Sequence, residues 1–380
     1  MTKIYLIRHG EAEGNLYRLW QGHWDGRITP MGYEQIDALA ERFKNVHIDA
    51  LYSSDLRRAV TTAGAITKYH DLTIRETPRL REINCGPWEG VPFGNVEYYY
   101  PAEMNYFNND PDKWRVKGAE TFVQCRERIL AVLTDIAEAH DGETVAVVCH
   151  GMAIRTILSY FLGVKSENIR SLPHGDNTAV ALLDYELGKF RVEYYNDNSH
   201  LPEEISTFAK QTWWRSGGGP DRSNLRDEPL DPRRDGRLYA DCYADAWVAS
   251  HGTDAGFVAS PYVTAALEHY RLEPRSVLKI YSGSDFAGVL DLDTERGRLA
   301  GYGWVTLLYL RPGFRGKNLG VQLLGRAVCY YEEHGRTSVR LHVSSDNEKG
   351  IDFYRRNGFR ILNVESGMIA DLLLMEKSLV

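Results

Sequence analysis

The chain has 380 residues, of which 43% are hydrophobic and 26% charged. At about 150 residues per domain that is enough for two domains with packed cores, and it excludes both a single small module and a disordered chain. The 45 Lys and Arg against 52 Asp and Glu leave a formal charge of −7, which argues against a chain-wide surface for nucleic acid or an anionic membrane, so any anion site has to be local.

The N-terminal run Met1-Thr2-Lys3-Ile4-Tyr5-Leu6-Ile7 reaches Arg8 after four apolar residues, short of a signal-peptide core or a membrane span. Five cysteines, Cys85, Cys125, Cys149, Cys242 and Cys329, are odd in number, widely spaced and without a C-x-x-C pair. They suit a reducing compartment, so a cytoplasmic location with no metal site is the expectation. Cys149 ends an apolar run and reads as a buried inert thiol rather than a redox or metal group.

Over residues 1–205, short apolar runs alternate with longer segments of helical period, the pattern of βαβ units and a largely parallel sheet. Residues 4–7 and 145–148 are near-continuous apolar runs, as expected for strands covered on both faces. Residues 31–43 follow a cap at Thr29 and a first-turn Pro30, and place Ile36, Leu39, Ala40 and Phe43 on one face of a helix. A composition break comes next. The run Ser216-Gly217-Gly218-Gly219-Pro220 and the charged, proline-containing stretch to Arg237 form the linker candidate, with Trp213 and Trp214 as anchors just before it. The predicted boundaries are 1–205, a linker at 206–221, and 222–380. Beyond the linker the predicted order is strand, helix, several strands, helix, strand, helix, strand, a mixed α/β domain of a different kind. Residues 239–250 form its first helix, and 277–281, 287–292 and 304–310 are strands separated by Ser282-Gly283-Ser284-Asp285 and Glu295-Arg296-Gly297-Arg298 turns. Leu319, Leu323, Leu324, Ala327 and Val328 then share one helical stripe after a basic, glycine-containing turn.

Arg8-His9-Gly10 follows the first strand directly and His150-Gly151 follows the strand ending at Cys149. Ligands of open parallel sheets bind at the carboxyl ends of strands, where both histidines would stand. Arginine's planar fork suits a phosphomonoester dianion, and a neutral imidazole, with an ordinary pKa of about 6.5, is a competent nucleophile toward phosphorus. Arg8-His9-Gly10-Glu11-Ala12-Glu13-Gly14-Asn15, then Gln21-Gly22, Ser54-Asp55-Leu56-Arg57-Arg58-Ala59, Leu80-Arg81-Glu82, Gly86-Pro87-Trp88-Glu89-Gly90 and His150-Gly151 together resemble the histidine phosphatase superfamily, the phosphoglycerate-mutase-like proteins. The resemblance implies a three-layer α/β/α domain in which His9 becomes a phosphohistidine, Arg8 and Arg58 clamp the phosphate, and His150 steadies the transition state. It also implies that Glu82 gives and takes the proton, and that Asn15, Gln21, Gly22 and Gly151 line the pocket, Gly22 with its backbone N–H. Arg58, directly before Ala59, is preferred to Arg57, which is expected in a surface ion pair. The Gly86 to Gly90 segment resembles the phosphatase branch. Residues 91–118, with Tyr98-Tyr99-Tyr100 and Trp114, form either a substrate-facing insertion or a packed cap.

Arg315, Gly316, Lys317, Asn318, Leu319 and Gly320 lead from a strand into a helix, where free N–H groups and the helix dipole make an anion nest. They resemble the coenzyme A loop of GNAT-type N-acetyltransferases, R/Q-x-x-G-x-G/A, with Asn318 in place of the first motif glycine. Asn tolerates unusual backbone angles better than most residues. Asp346-Asn347 and Phe353-Tyr354-Arg355-Arg356-Asn357-Gly358-Phe359 match the family's closing helix and turn. The resemblance implies acetyl-CoA as acyl donor, amides of Leu308, Tyr309 and Leu310 along the pantetheine arm, and Tyr354 as acid toward the thiolate; ordinary aromatic packing is the other reading of Tyr354. No residue stands out as the base for the amine.

The expectation is a bifunctional α/β enzyme. One half hydrolyses a small-molecule phosphomonoester, and the other acetylates a small-molecule or peptide amine. The alternatives are a C-terminal domain that only senses coenzyme A, and a mutase-type phosphotransferase.

Overall fold

The structure is a computed structural model that describes residues 1–211 and 223–380. Two compact units are present, Met1–Val91 with Val96–Gly219, and Pro92–Asn95 with Pro220–Val380. Trp213, Trp214 and the glycine run lie outside the described residues. Among the described residues no helix is long and apolar enough to cross a membrane.

Up to residue 211 the order is β1 (Thr2–Arg8), α1 (Glu13–Tyr17), α2 (Pro30–Phe43), β2 (Ala50–Ser53), α3 (Arg57–Thr67), β3 (Ile74–Glu76), α4 (Phe93–Tyr99), α5 (Pro101–Asn109), α6 (Phe122–Ala139), β4 (Thr144–Cys149), α7 (Gly151–Phe161), β5 (Val180–Glu186), β6 (Lys189–Asp197) and α8 (Thr207–Lys210). The strands form one sheet in the order β3-β2-β4-β1-β5-β6, parallel from β3 to β1 and antiparallel at β5 and β6. The apolar runs at β1 and β4 have the cause the sequence suggests. Ile7, Ala146 and Val148 pack with Ile36, Leu39 and Phe43 of α2 and Ala63 and Ile66 of α3, while Ile4, Leu6, Val145 and Val147 are equally buried on the opposite face. Helix α2 begins as read: the Thr29 hydroxyl accepts from Gly32 N at 3.0 Å with Pro30 in the first turn.

Residues 225–380 contain β7 (Leu225–Pro229), α9 (Pro232–His251), α10 (Ala259–Leu272), β8 (Val277–Ser282), β9 (Asp285–Asp293), β10 (Tyr302–Leu310), α11 (Gly320–Glu333), β11 (Ser338–Ser344), α12 (Glu348–Arg356), β12 (Arg360–Glu365) and β13 (Leu372–Ser378). The sheet order is β12-β13-β11-β10-β9-β8-β7, and its only parallel neighbours among the described residues are β10 and β11. That pair is joined only at Tyr302, Gly303 and Trp304, and a bulge between Val305 and Leu307 turns β10 at the same level. Past Trp304 the edge of β10 that faces β11 is unpaired.

Three readings are corrected here. The charged stretch to Arg237 is not a linker: it holds strand β7 and the start of α9, where the Asp231 carboxylate accepts from Arg233 N at 3.0 Å and Pro232 opens the helix. Within 206–221, the Ser206 hydroxyl is buried and donates to Asp176 at 2.6 Å, and Thr207–Lys210 is helical. Helix α10 and the inner strand β13 were not anticipated.

Helix α10 turns a histidine inward. His269 Nδ1 lies 2.7 Å from Asp291 Oδ1 and Nε2 lies 3.4 Å from Asp293 Oδ2, while Tyr239 donates to Asp291 at 2.6 Å. Burial opposes the charged ring, yet the two carboxylates raise His269 to about 10. Its stabilising contribution is therefore full below the ordinary value of about 6.5 and is lost as pH rises toward 10. Asp291→Ala is expected to destabilise the second unit by about 3 kcal/mol at pH 6 in urea unfolding, and to weaken the decline in stability expected of the unmodified chain from neutral pH toward 10, with the Asp293 carboxylate still beside the ring.

Candidate active sites

Strands β1 and β4 are parallel neighbours with Arg8 opposite Cys149, so the residues that follow them emerge side by side. His9 and His150 have ring centroids 5.2 Å apart, and both are buried. His9 Nδ1 is 2.7 Å from the Gly10 carbonyl. A carbonyl can only accept, so Nδ1 carries the proton and Nε2 presents its lone pair. Burial, then Arg58, then Arg8 hold the His9 pKa well below its ordinary value, which keeps the ring neutral near pH 7.

Arg58, near the start of α3, is completely buried. It donates from Nη1 to the Trp24 carbonyl at 2.9 Å and from Nη2 to the Gly22 carbonyl at 2.7 Å, with the Asp25 carboxylate 3.8 Å away. Arg8 donates to the Gly175 carbonyl at 2.6 Å. Gly151 leaves room for it, since a Cβ there would stand 3.1 Å from Arg8 Nε. Arg8 Nε, Arg58 Nε, both ring nitrogens of His150 and the Gln21 amide oxygen are buried without a hydrogen-bond partner among the described residues. Buried polar groups are normally satisfied. The donors among these atoms suit an anion such as phosphate, held by guanidinium and imidazole groups together.

Glu82 reaches the same place from the loop after β3. Its Oε1 accepts from Ile83 N at 2.9 Å and Ala153 N at 2.7 Å, and its Oε2 from Met152 N at 2.8 Å, so it caps the first turn of α7. Burial raises its pKa in spite of those three hydrogen bonds and the nearby Arg58.

Several expected roles change. The Gly22 N–H does not face the pocket as a free donor, because it donates to Glu89 at 3.0 Å. Glu89 also accepts from His23 N, Trp24 N and Cys85 N at 2.8, 2.8 and 2.9 Å. One carboxylate thus holds the amides of the loop whose carbonyls hold Arg58, a function that its place in the Gly86 to Gly90 segment did not disclose. The Asn15 side-chain oxygen accepts from Ala12 N at 3.1 Å and Asn177 at 3.4 Å, which ties it to the loop rather than leaving it free. Arg57 is exposed and, among the described residues, has no ion-pair partner. Trp114 is buried, 5.4 Å from Trp88 and 5.5 Å from Phe107 between ring centroids, so that part of the 91–118 segment is a packed cap. Tyr98, Tyr99 and Tyr100 are exposed.

In the second unit, Gly316 (φ +71°) and Asn318 (φ +56°) both occupy the left-handed region. Asn318 is thus a tolerated substitute for a glycine. The N–H groups of Gly316, Lys317, Asn318, Leu319 and Gly320 have no backbone acceptor among the described residues and lead into α11. Arg315 does not point freely outward: its Nε donates to the Leu310 carbonyl at 2.6 Å and its Nη2 pairs with Asp245. Leu308, Tyr309 and Leu310 lie on the stretch of β10 that pairs with β9 and not with β11. The free amides and the open strand edge fit the pyrophosphate and pantetheine of a coenzyme A. Asn347 caps α12 by accepting from Gly350 N at 3.0 Å, and Tyr354 packs between Phe353 and Phe359 with centroids 5.2 and 5.4 Å away. Burial raises the Tyr354 pKa, away from the thiolate match that its ordinary value suggests.

The histidine phosphatase superfamily (branch 1) model matches residues 4–198, and the acetyltransferase (GNAT) family model matches residues 239–359. Phosphoserine phosphatase 1 of Hydrogenobacter thermophilus is 29% identical over 203 residues, 53% of this chain and 96% of that protein. The probable phosphoglycerate mutase GpmB of Yersinia pestis is 31% identical over 206 residues, 53% of this chain and 95% of its own length. The solved structure of Bacillus stearothermophilus YhfR is similar with a TM-score of 0.51 and 31% identity, covering 53% of this chain and 99% of that one. The chain belongs to the histidine phosphatase superfamily and carries a GNAT acetyltransferase domain after the phosphatase domain.

Proposed function

We propose that the chain is bifunctional, with residues 1–205 hydrolysing small phosphomonoesters through a phosphohistidine on His9, and residues 222–380 transferring an acetyl group to a small-molecule or peptide amine. The first activity is carried by one observation: a buried His9 whose tautomer is fixed by the Gly10 carbonyl, whose ring is 5.2 Å from that of His150, and whose neutral form is favoured by burial and by the charges of Arg58 and Arg8. The Nε2 lone pair forms a bond to phosphorus as the ester P–O bond breaks, and Glu82 gives its proton to the departing oxygen. Water then gives its proton to Glu82 and its oxygen to phosphorus, and the P–N bond breaks with its electron pair returning to Nε2. Arg8, Arg58 and His150 hold the phosphoryl oxygens throughout. Glu82 can do both jobs because burial favours its neutral form and Oε2, with one N–H bond, keeps a site for the proton. The names of the relatives make phosphoserine and a phosphoglycerate the first esters to try.

Acetyl-CoA, when bound, supplies a thioester carbonyl open to attack by an amine. The amides of Gly316 to Gly320 would hold its pyrophosphate, and those of Leu308, Tyr309 and Leu310 its pantetheine arm. Tyr354 would protonate the sulfur. The upward shift of Tyr354 supports a second reading, in which this unit binds coenzyme A without transfer. A cytoplasmic site of action belongs to the same proposal and is supported by five cysteines of which none forms a disulfide.

The unmodified chain is expected to release inorganic phosphate from p-nitrophenyl phosphate, and His9→Ala to lose that activity; release that survives in the variant overturns the phosphohistidine. In Gly22→Ala a Cβ would run into the Ile83 carbonyl and the Glu89 carboxylate. That shift of the loop under Arg58 is expected to lower kcat/KM by about 100-fold, and unchanged kinetics would show that the loop does not set the clamp. Calorimetry that finds acetyl-CoA bound, with no acetylated product across primary amines, would establish the second reading of residues 222–380.

A further inference from the structure

The acetyl-transfer reading leaves the amine without a proton acceptor, and the sequence names none. The structure offers one at the fork where β10 and β11 part. His342, on β11 just past the last residue paired with β10, stands with its ring 4.8 Å from that of Trp304, the last paired residue of β10, at 87°. Glu365, at the end of β12, places Oε2 3.2 Å from His342 Nε2. Arg296, in the connection from β9 to β10, lies 3.3 Å over the Trp304 ring. Glu376, on β13, is already engaged by Ser338 and Arg340 at 3.0 and 2.9 Å and by Arg360 at 3.2 Å. It has little capacity left for substrate.

We propose that His342 is the base that takes a proton from the acceptor amine, and that Glu365 is a positioning residue whose charge beside the ring supports its basicity; this rests on the acetyltransferase reading of the second unit. His342 Nε2 is buried with no hydrogen-bond partner among the described residues, so the carboxylate 3.2 Å away acts on the ring through its charge. The charged groups acting on the ring are Glu365, which favours its protonation, and Arg296, which opposes it. Burial is the largest influence, and the pKa falls below the ordinary value. The ring is therefore neutral near pH 7 and able to accept a proton.

An acceptor arriving as an ammonium gives one proton to the imidazole, and the freed lone pair forms the C–N bond to the thioester carbonyl carbon. The C–S bond breaks with its electron pair on sulfur, which takes a proton from Tyr354. The second amine proton restores the phenol through solvent and the imidazolium releases its proton, so one proton is released per turnover.

The test uses the full chain with spermidine, tyramine, glucosamine and an alanyl peptide as acceptors, together with carbon-13 NMR of labelled histidine to titrate His342 without any ligand. His342→Gln is expected to lower kcat/KM for the amine by about 100-fold or more while the acetyl-CoA Kd stays within about twofold of the unmodified value, which shows that the domain is folded. The resonance missing from that variant should titrate below about 6.5 in the unmodified chain. In Glu365→Gln it should titrate lower still, and the acid limb of the pH–rate profile should move down with it. Transfer that is unaffected by His342→Gln, or a titration that does not move in Glu365→Gln, overturns the assignment and leaves the acetyltransferase reading standing. Acetyl-CoA binding with no transfer to any of the four amines overturns the reading itself, and the base with it.

Discussion

The first unit is organised by the need to keep one positive charge out of water. The Arg58 side chain is wholly buried and its nearest carboxylate, Asp25, is 3.8 Å away. Its hydrogen bonds go to the carbonyls of Gly22 and Trp24, while Glu82, Asp25 and Glu89 act on it through charge. The carbonyls can accept those bonds only while their loop is held still, and the loop is held by Glu89 through the amides of Gly22, His23 and Trp24. An uncompensated buried charge is destabilising by several kcal/mol, so loop, carboxylate and guanidinium form one interdependent group. Arg58 Nε is left over, and it is the donor the group can offer to an incoming anion.

The same economy governs the imidazoles. Adjacent parallel strands deliver His9 and His150 side by side, and the Gly10 carbonyl removes the freedom of the His9 tautomer. Glu82 is attached to the first turn of α7, the helix that begins at the residue after His150. The Glu82 carboxylate and the His150 ring, the proton donor and phosphate ligand of the proposed reaction, are thereby fixed to one element. In the second unit the comparable device is the parting of β10 from β11 after three paired residues, which exposes main-chain groups in the middle of a sheet.

Much of this was legible in the sequence because strands covered on both faces leave a long apolar signature, and a His-Gly at the end of such a strand has few places to be. The Thr29-Pro30 helix start and the tolerance of Asn318 for a left-handed angle were equally local properties. What could not be read was long-range. Glu89 looks like one more acidic residue in a turn, and its value comes from amides 65 to 67 residues earlier and from Cys85. The charged start of α9 resembles a linker because its exposed face is rich in arginine and aspartate, while Asp231 and Pro232 signal a helix start. Helix α10 lacks a clean apolar stripe because its buried face includes His269, whose charge is balanced by two aspartates at the end of β9.

All five cysteines are buried and none forms a disulfide, and in each case burial raises the thiol pKa. Thiolate, the reactive form, is therefore scarce. If the proposed nitrogen nucleophile operates, the phosphoryl chemistry would need no thiolate, and oxidants that act on thiolates would have no target in its mechanism.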